Sequence, residues 1–286
     1  FLRRHEDLPV RCYGVLSDYT CIPFLAETEL DGYFLPHTDV RADCVAAGMP
    51  AEKLIVSGMP VAAKFTAPMT KQAARELLGL PQDKRIVLAL AGAYLPTPYV
   101  RFREALDKML PYLHRFKNTH LVIVAGADAE YAAHLRRECE ELGIPNATVL
   151  EYVEGMAELM AASDLVICKP GGLTVTECLC AKAPMILLGR AYGQENINVR
   201  MLTSLGAALH VTTARELVGA MGHVDTNPAI VEAMLTQGSF LRRPNAAIDI
   251  ARNALRLAAA EPSTDARMRK KHFLHFYWGH TPAHIR

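Results

Sequence analysis

The chain has 286 residues, enough for two ordinary domains, and 51% of them are hydrophobic while 21% are charged. The formal net charge of +1 excludes a global electrostatic attraction to nucleic acid or to membrane lipid. No apolar run reaches the roughly 20 residues that a membrane-spanning helix requires. The seven cysteines include no Cys-x-x-Cys pair, so we expect buried thiols in a reducing cytosol, without a disulfide framework or a structural zinc site.

Three short apolar segments come first, at residues 10–16, 32–35 and 54–57, and each is predicted to form a strand. Residues 62–69 include a proline and show little periodicity, so they are predicted to be an interdomain linker. Because the chain starts with Phe1 and enters a strand pattern almost at once, we expect the natural N-terminus to lie further upstream. The first domain is therefore predicted to be incomplete.

After the linker, apolar runs alternate regularly with amphipathic stretches, which is typical of an α/β domain with a parallel sheet. Thr70 is predicted to cap a helix that ends near Gly79. Thr97 is predicted to cap another, with Pro98 at its first position. The further strands are predicted at 86–91, 121–125, 148–150, 165–168 and 185–188. The further helices are predicted at 98–116, 129–142, 156–162, 174–181, 195–204, 215–221, 228–235 and 246–260.

The strand at 165–168 leads into Lys169-Pro-Gly-Gly172, and a helix is predicted to begin at about Thr174. Two glycines allow a tight turn and a close approach to the backbone, while free N–H groups and the helix dipole favour an anion. Ligands of open α/β sheets bind at this edge, and a diphosphate is the natural occupant. The stretch is neither a Walker loop nor Gly-x-Gly-x-x-Gly, which disfavours a dinucleotide. A simple strand-to-helix turn is the alternative.

Glu177 has two interpretations. The spacing Thr174-x-x-Glu177 matches a capping box, in which the glutamate reaches back to the N–H group of the cap residue. Its carboxylate also suits the two adjacent hydroxyls of a ribose. On spacing alone the capping box is favoured.

The segment 189–198 follows the next strand and is rich in amides and carboxylates, including Gln194, Glu195 and Asn198. Such side chains are what the hydroxyl groups of a sugar require. Ordinary capping of a helix explains the same residues in isolation.

Taken together, the motifs resemble those of a known family. The stretch Lys169-Pro-Gly-Gly-Leu-Thr-Val-Thr-Glu177, followed by Pro-x-Ile-Leu-Leu and Gly-Gln-Glu-x-x-Asn198, resembles glycosyltransferase family 28. Within it, the sequence is most similar to processive diacylglycerol glucosyltransferases and monogalactosyldiacylglycerol synthases. Residues 149–160 resemble the family's uracil-binding loop, and residues 16–23 and 58–61 resemble the end of its lipid-acceptor domain. The resemblance covers about residues 10–208, and it shifts the interpretation of Glu177 to the ribose.

The resemblance implies a GT-B fold, with two Rossmann-like doubly wound domains of which the first is incomplete here. The implied division is 1–62 for the acceptor-side domain, 63–70 for the linker, 71–245 for the UDP-sugar-binding domain and 246–286 for a C-terminal helix and tail. It also implies the following roles: backbone at Tyr152 and Val153 on uracil; Gly92, Gly171, Gly172 and Thr174 on the diphosphate; Glu177 on the ribose; Gln194 and Glu195 on the sugar, with Asn198 supporting their loop.

The implied reaction is an inverting transfer of a hexose from UDP-glucose or UDP-galactose to diacylglycerol or a glycosyl-diacylglycerol, without cofactor or metal. A base would remove the acceptor's proton while the leaving UDP is stabilised electrostatically. The family's Gly-Gly-Gly-His loop, near which the base is expected, is missing from the sequence. Asp18, at the end of a strand, is expected to face the cleft but not to be the base. We therefore expect weak UDP-sugar binding and no turnover by this chain.

Residues 267–278 mix basic and aromatic side chains and contain Trp278, the sole tryptophan. They are interpreted either as a membrane-surface anchor or as a tail that packs on the first domain. The cluster is too short to indicate nucleic acid. A peripheral location on the cytoplasmic face of the membrane is expected. The alternative functions are GlcNAc transfer to a lipid-linked muramyl precursor, a UDP-sugar 2-epimerase, and a non-catalytic nucleotide-sugar-binding module.

Overall fold

The smaller of two parallel sheets is built from the N-terminal part of the chain. The computed structural model describes residues 11–22, 24–67, 69–92 and 96–259, with backbone alone for 96–100. The smaller sheet contains β1 (Tyr13–Val15), β2 (Gly32–Leu35) and β3 (Leu54–Val56) in that order. All three lie within the predicted segments, so the prediction of these strands is confirmed.

The larger sheet has six strands and defines the fold. They are β4 (Arg85–Leu90), β5 (Thr119–Val124), β6 (Ala147–Leu150), β7 (Leu165–Cys168), β8 (Met185–Leu188) and β9 (Leu209–Val211). Their spatial order is β6-β5-β4-β7-β8-β9, and all neighbours are parallel. This is the strand order of a doubly wound nucleotide-binding sheet, whose ligand crevice lies where the order reverses. That point is beyond the carboxyl ends of β4 and β7, and the predicted α/β class is confirmed.

Helices alternate with the strands. In chain order they are α1 (Thr38–Ala46), α2 (Lys71–Leu78), α3 (Pro96–Asp107), α4 (Ala129–Glu141), α5 (Met156–Ala162), α6 (Gly172–Ala181), α7 (Gln194–Ser204), α8 (Ala214–Thr226), α9 (Pro228–Leu241) and α10 (Ala246–Ala259). The predicted cap of α2 is confirmed, because the Thr70 hydroxyl accepts a hydrogen bond from the Ala73 N–H and Gly79 adopts a left-handed conformation.

The predicted boundaries of α3 are wrong at both ends. The helix begins at Pro96, so Thr97 lies inside it and does not cap it. It ends at Asp107 because Pro111 has no N–H group to offer the Asp107 carbonyl, and its ring would collide with that group. A 3₁₀ helix, Leu110–Arg115, occupies the remainder of the predicted helical segment.

The structure also contains elements and extensions that were not predicted from the sequence. The sequence did not predict α1 or β9, and α8 and α9 both extend beyond the predicted segments. The predicted linker contains a short 3₁₀ helix, Ala63–Phe65, and the side chain of Phe65 is buried. No helix of the described residues is long and apolar enough to cross a membrane. Residues 267–278, for which two interpretations were offered, lie outside the described residues.

The two sheets share a hydrophobic core. Buried side chains of the first sheet, including Tyr33 and Leu35, belong to the same cluster as Val175 and Leu187 of the larger sheet's unit. A second cluster covers the opposite face of the larger sheet. The first sheet therefore packs directly against the unit that carries the predicted donor site.

Candidate functional site

The site centres on the start of α6, directly after β7. The helix begins at Gly172, two residues before the predicted start, and Gly171 is its N-cap. Gly171 has an extended backbone and offers no side-chain cap. The first amide groups of α6 therefore depend on partners from outside the helix, as the first N–H groups of any helix do.

This start changes the interpretation of Glu177. Because Thr174 lies inside the helix, it is not a cap residue, and no capping box forms with Glu177. The Glu177 carboxylate makes no hydrogen bond within the described residues and is partly buried. Burial raises the pKa of Glu177, and the positive charge of Lys64 opposes that rise. The capping interpretation was thus wrong, and a carboxylate with unused acceptor capacity is left at the site.

Gly172 and Asp18 meet at this helix terminus. The Gly172 N–H donates a hydrogen bond to Asp18 Oδ1, at 3.3 Å between nitrogen and oxygen. A Cβ atom on Gly172 would lie 2.0 Å from the Ser17 carbonyl oxygen. Glycine is therefore required here because the loop after β1 packs against the helix. The amide that was predicted to hold a diphosphate is bonded to Asp18 in this structure.

Asn198 connects this loop to the Lys169–Gly172 turn. Its side chain is fully buried, and its Nδ2 donates to Asp18 Oδ1 at 2.8 Å and to the Pro170 carbonyl at 2.9 Å. Its Oδ1 accepts from the Tyr19 N–H at 2.9 Å. Asn198 therefore holds together the loop after β1, the turn after β7 and helix α7.

Lys169 and Glu195 form an ion pair across the glycine turn. The distance between Lys169 Nζ and Glu195 Oε1 is 2.7 Å, and both side chains are partly buried. Both lie within 4 Å of the position that a Cβ on Gly171 would take. Gln194 opens α7 after Gly193, which has a positive φ of 54°. The structure thus brings Glu195 next to the predicted diphosphate site.

Gly92 lies at the end of β4, beside β7 in the sheet. A Cβ on Gly92 would lie 2.6 Å from Gly126 Cα and 2.7 Å from Gly126 N. Because these are backbone atoms, close packing between the ends of β4 and β5 requires glycine here. This packing accounts for Gly92 without any ligand.

The loop after β6 carries Tyr152 and Val153. Tyr152 is 73% exposed, whereas Val153 is partly buried against the core. Lys64 Nζ donates to the Glu154 carbonyl at 2.7 Å, which ties the predicted linker to this loop. Lys64 is also the positive charge that acts on Glu177.

The structure brings Asp18, Gly171, Gly172, Glu195 and Asn198 into one connected cluster, whereas no hydrogen bond or ion pair of the described residues joins Gly92 or Tyr152 to it. Sequence reasoning missed Tyr19, Lys64 and Lys169 as parts of the site. For Lys169 a signal existed, because it directly precedes the glycine turn. No local signal could have identified Tyr19 or Lys64, because their partners lie far away in the sequence.

Comparisons with known proteins match two segments of the chain. Residues 98–228 match the glycosyltransferase family 28 C-terminal domain, and residues 1–61 match monogalactosyldiacylglycerol (MGDG) synthase. The processive diacylglycerol beta-glucosyltransferase of Staphylococcus epidermidis is 30% identical over 77% of this chain and 54% of its own length. The protein of the same name from Bacillus cytotoxicus is 27% identical over 76% of this chain and 54% of its own length. The chain thus spans about half the length of these curated relatives.

The fold is shared with solved glycosyltransferases. A glycosyltransferase from Rickettsia africae superimposes with a TM-score of 0.60, over 90% of this chain and 73% of that chain, at 11% identity. At such an identity the likeness concerns the fold alone, and that fold is GT-B. Residues 98–228 of this chain thus carry a glycosyltransferase family 28 C-terminal domain.

Proposed function

We propose that this chain carries the UDP-sugar-binding site of a hexosyltransferase, which transfers a hexose to diacylglycerol or a glycosyl-diacylglycerol with inversion at the anomeric carbon. The names of the curated relatives support a diacylglycerol acceptor and glucose as the transferred sugar. UDP-galactose is the other donor considered. No feature of the described residues favours a 2-epimerase or a muramyl-precursor transferase over this function.

The observation that carries the proposal is the state of Glu177. Its carboxylate is partly buried, makes no hydrogen bond within the described residues, and is not a capping group. Burying a carboxylate costs free energy unless a partner compensates. A ribose diol supplies two hydroxyl donors to one carboxylate, and the bonds are charge-assisted. We therefore assign Glu177 to the ribose.

The other assignments follow from the start of α6. The N–H groups of Leu173 and Thr174 have no acceptor within the helix, because α6 begins at Gly172. With the positive end of the helix dipole they form an electrostatic site for the diphosphate of the donor and of the leaving UDP. Gln194 and Glu195 are assigned to the sugar, and Asn198 to the support of both loops. Tyr152, Val153 and Gly92 keep their assignments to uracil and phosphate as proposals.

The same proposal includes the organisation of the chain. Residues 1–62 belong to the acceptor side, 63–70 to a linker, 71–245 to the donor-binding unit and 246–286 to a C-terminal helix and tail. Location is proposed as peripheral, on the cytoplasmic face of a membrane, because the proposed acceptor is a lipid.

Isothermal titration of the chain with UDP, ADP, UDP-glucose and UDP-galactose tests the proposal. UDP is expected to bind and ADP not, and the two UDP-sugars compete directly to identify the hexose. Glu177→Gln should weaken UDP binding by about 1–3 kcal/mol, because ribose bonds to a charged acceptor are lost. Glu141→Gln is the matched control, since Glu141 is exposed at the end of α4 and carries none of the proposed contacts. Equal affinities for UDP and ADP, or an unchanged affinity in Glu177→Gln, would falsify the assignment.

A further inference from the structure

The donor site contains an anion of its own. Asp18 Oδ1 accepts a hydrogen bond from the Gly172 N–H, the first amide of α6. Asp18 comes from the loop after β1, so this carboxylate belongs to the unit of the first sheet. It lies where a helix terminus attracts negative charge.

We propose that Asp18 is an internal occupant of the anion site at the start of α6, and that a diphosphate must displace its carboxylate from the Gly172 amide to bind there. This inference rests on the proposed function, since it concerns how the same site accepts its donor.

The charges around the turn support displacement. Two carboxylates lie at the turn: Glu195, which is 2.7 Å from Lys169 Nζ, and Asp18, which bonds to the Gly172 amide. A diphosphate adds further negative charge beside these two carboxylates. Like charges at close range repel strongly where water is partly excluded. The simplest relief is movement of Asp18 away from the amide that the phosphate oxygen takes.

The geometry shows which bond can be exchanged. The bond between the Gly172 amide and Asp18 is long, at 3.3 Å, against about 2.9–3.0 Å for a typical N–H···O bond. The bond from Asn198 Nδ2 to the same oxygen is short, at 2.8 Å. A carboxylate that leaves Gly172 therefore gives up the weaker of its two bonds. Asn198 also donates to the Pro170 carbonyl, so the turn keeps a support after that exchange.

Displacement has a consequence for the contact between the sheets. Asp18 and Tyr19 join the first sheet's unit to α6 and α7, through Gly172 and Asn198. Removing Asp18 from Gly172 takes one bond out of that contact. Binding of the donor and loosening of the loop after β1 are then linked, and each favours the other by the same factor.

The test uses the 286-residue chain and UDP as the probe. Titrations compare the wild type with Asp18→Asn, which keeps an acceptor oxygen without charge, and with Asp18→Ala, which vacates the site. Both variants should bind UDP more tightly, by about tenfold, which lies within the usual range of such couplings. Glu52→Gln removes an exposed carboxylate from the same unit and should bind UDP as the wild type does. Thermal unfolding of each variant checks that it is folded.

Hydrogen exchange gives a second readout. Addition of UDP to the wild type should increase exchange in the peptide that covers residues 17–20, because the loop loses its bond to Gly172. Equal or weaker UDP binding by both folded Asp18 variants overturns the inference, and so does protection of residues 17–20 by UDP. If neither the wild type nor any variant binds UDP, the proposed function is overturned as well. Failure of the Asp18 inference alone leaves UDP binding intact, so the two failures can be distinguished.

Discussion

The hydroxyl groups of Tyr19 and Thr176 lie 3.0 Å apart, and both side chains are buried. Tyr19 belongs to the loop after β1, and Thr176 to helix α6. Burial raises the pKa of Tyr19 to about 12, so its hydroxyl stays protonated at physiological pH. Thr176 Oγ1 also donates to the Gly172 carbonyl at 2.8 Å. The loop after β1 is therefore bonded to the helix that carries the proposed donor site.

Tyr19→Phe removes this hydroxyl and should lower the free energy of unfolding by about 0.5–1.5 kcal/mol, the net value of one hydrogen bond. Urea denaturation measures the difference. Tyr112→Phe is the control, because the Tyr112 side chain is exposed and has no hydrogen bond within the described residues; its effect should stay within about 0.5 kcal/mol. Equal stability of Tyr19→Phe and the wild type would show that the bond adds nothing to the contact.

The pH dependence of the free energy of unfolding should show whether Glu177 stabilises the fold or serves a ligand. Burial raises the folded-state pKa of Glu177, so its contribution to stability is fully present below the unfolded pKa, about 4.3, and is lost as the pH rises through the folded pKa. Glu177→Gln removes this loss. The variant should match the wild type in stability at pH 4 and exceed it at pH 8, while binding UDP more weakly.

Denaturation at both pH values, with titration of UDP at pH 8, measures the two effects together. A helix cap would produce the opposite pattern, since its loss destabilises the protein. Lower stability of Glu177→Gln at pH 8 would therefore argue that the carboxylate serves the fold and not a ligand.

The start of α6 shows where sequence reasoning succeeded and where it failed. The two glycines correctly predict a strand-to-helix turn, but the predicted start at Thr174 is two residues late. In the structure the helix begins at Gly172, where the Ser17 carbonyl leaves no room for a Cβ and so requires glycine. That contact joins residues that are far apart in the sequence, and local patterns carry no information about it.

The two missed elements have a similar explanation. In α1 only Val40 and Cys44 are buried, so its apolar face is too narrow to give a helical pattern. Strand β9 has three residues at the edge of the sheet, and only Val211 is fully buried. Long, strongly patterned elements such as β5 and α4 were predicted within two residues, because burial of a whole face repeats in their sequence.

The ion pair of Lys169 and Glu195 should contribute to stability, and the two residues should also affect donor binding. Both side chains are partly buried, so a double-mutant cycle with Lys169→Met and Glu195→Gln should give a coupling of about 0.5–1 kcal/mol. Under the proposed assignment, Glu195→Gln should lower the affinity for UDP-glucose relative to the affinity for UDP, because only UDP-glucose loses a sugar contact. Lys169→Met should weaken both, since it removes the cation beside the diphosphate. If Glu195→Gln changes the affinities for UDP and UDP-glucose by the same factor, Glu195 does not contact the sugar.

Replacement of Gly92 tests whether this glycine is required for packing or for ligand binding. In Gly92→Ala the new Cβ would lie 2.6 Å from Gly126 Cα, and a backbone atom cannot rotate away from it. We expect a loss of about 1–3 kcal/mol in the free energy of unfolding, the usual cost of overpacking. Gly219→Ala is the control, because a Cβ there meets no atom within 4 Å and a helical glycine gains up to about 1 kcal/mol on this change. If Gly92→Ala is as stable as the wild type but binds UDP weakly, the lack of a side chain at Gly92 is needed for the phosphate and not for packing against Gly126.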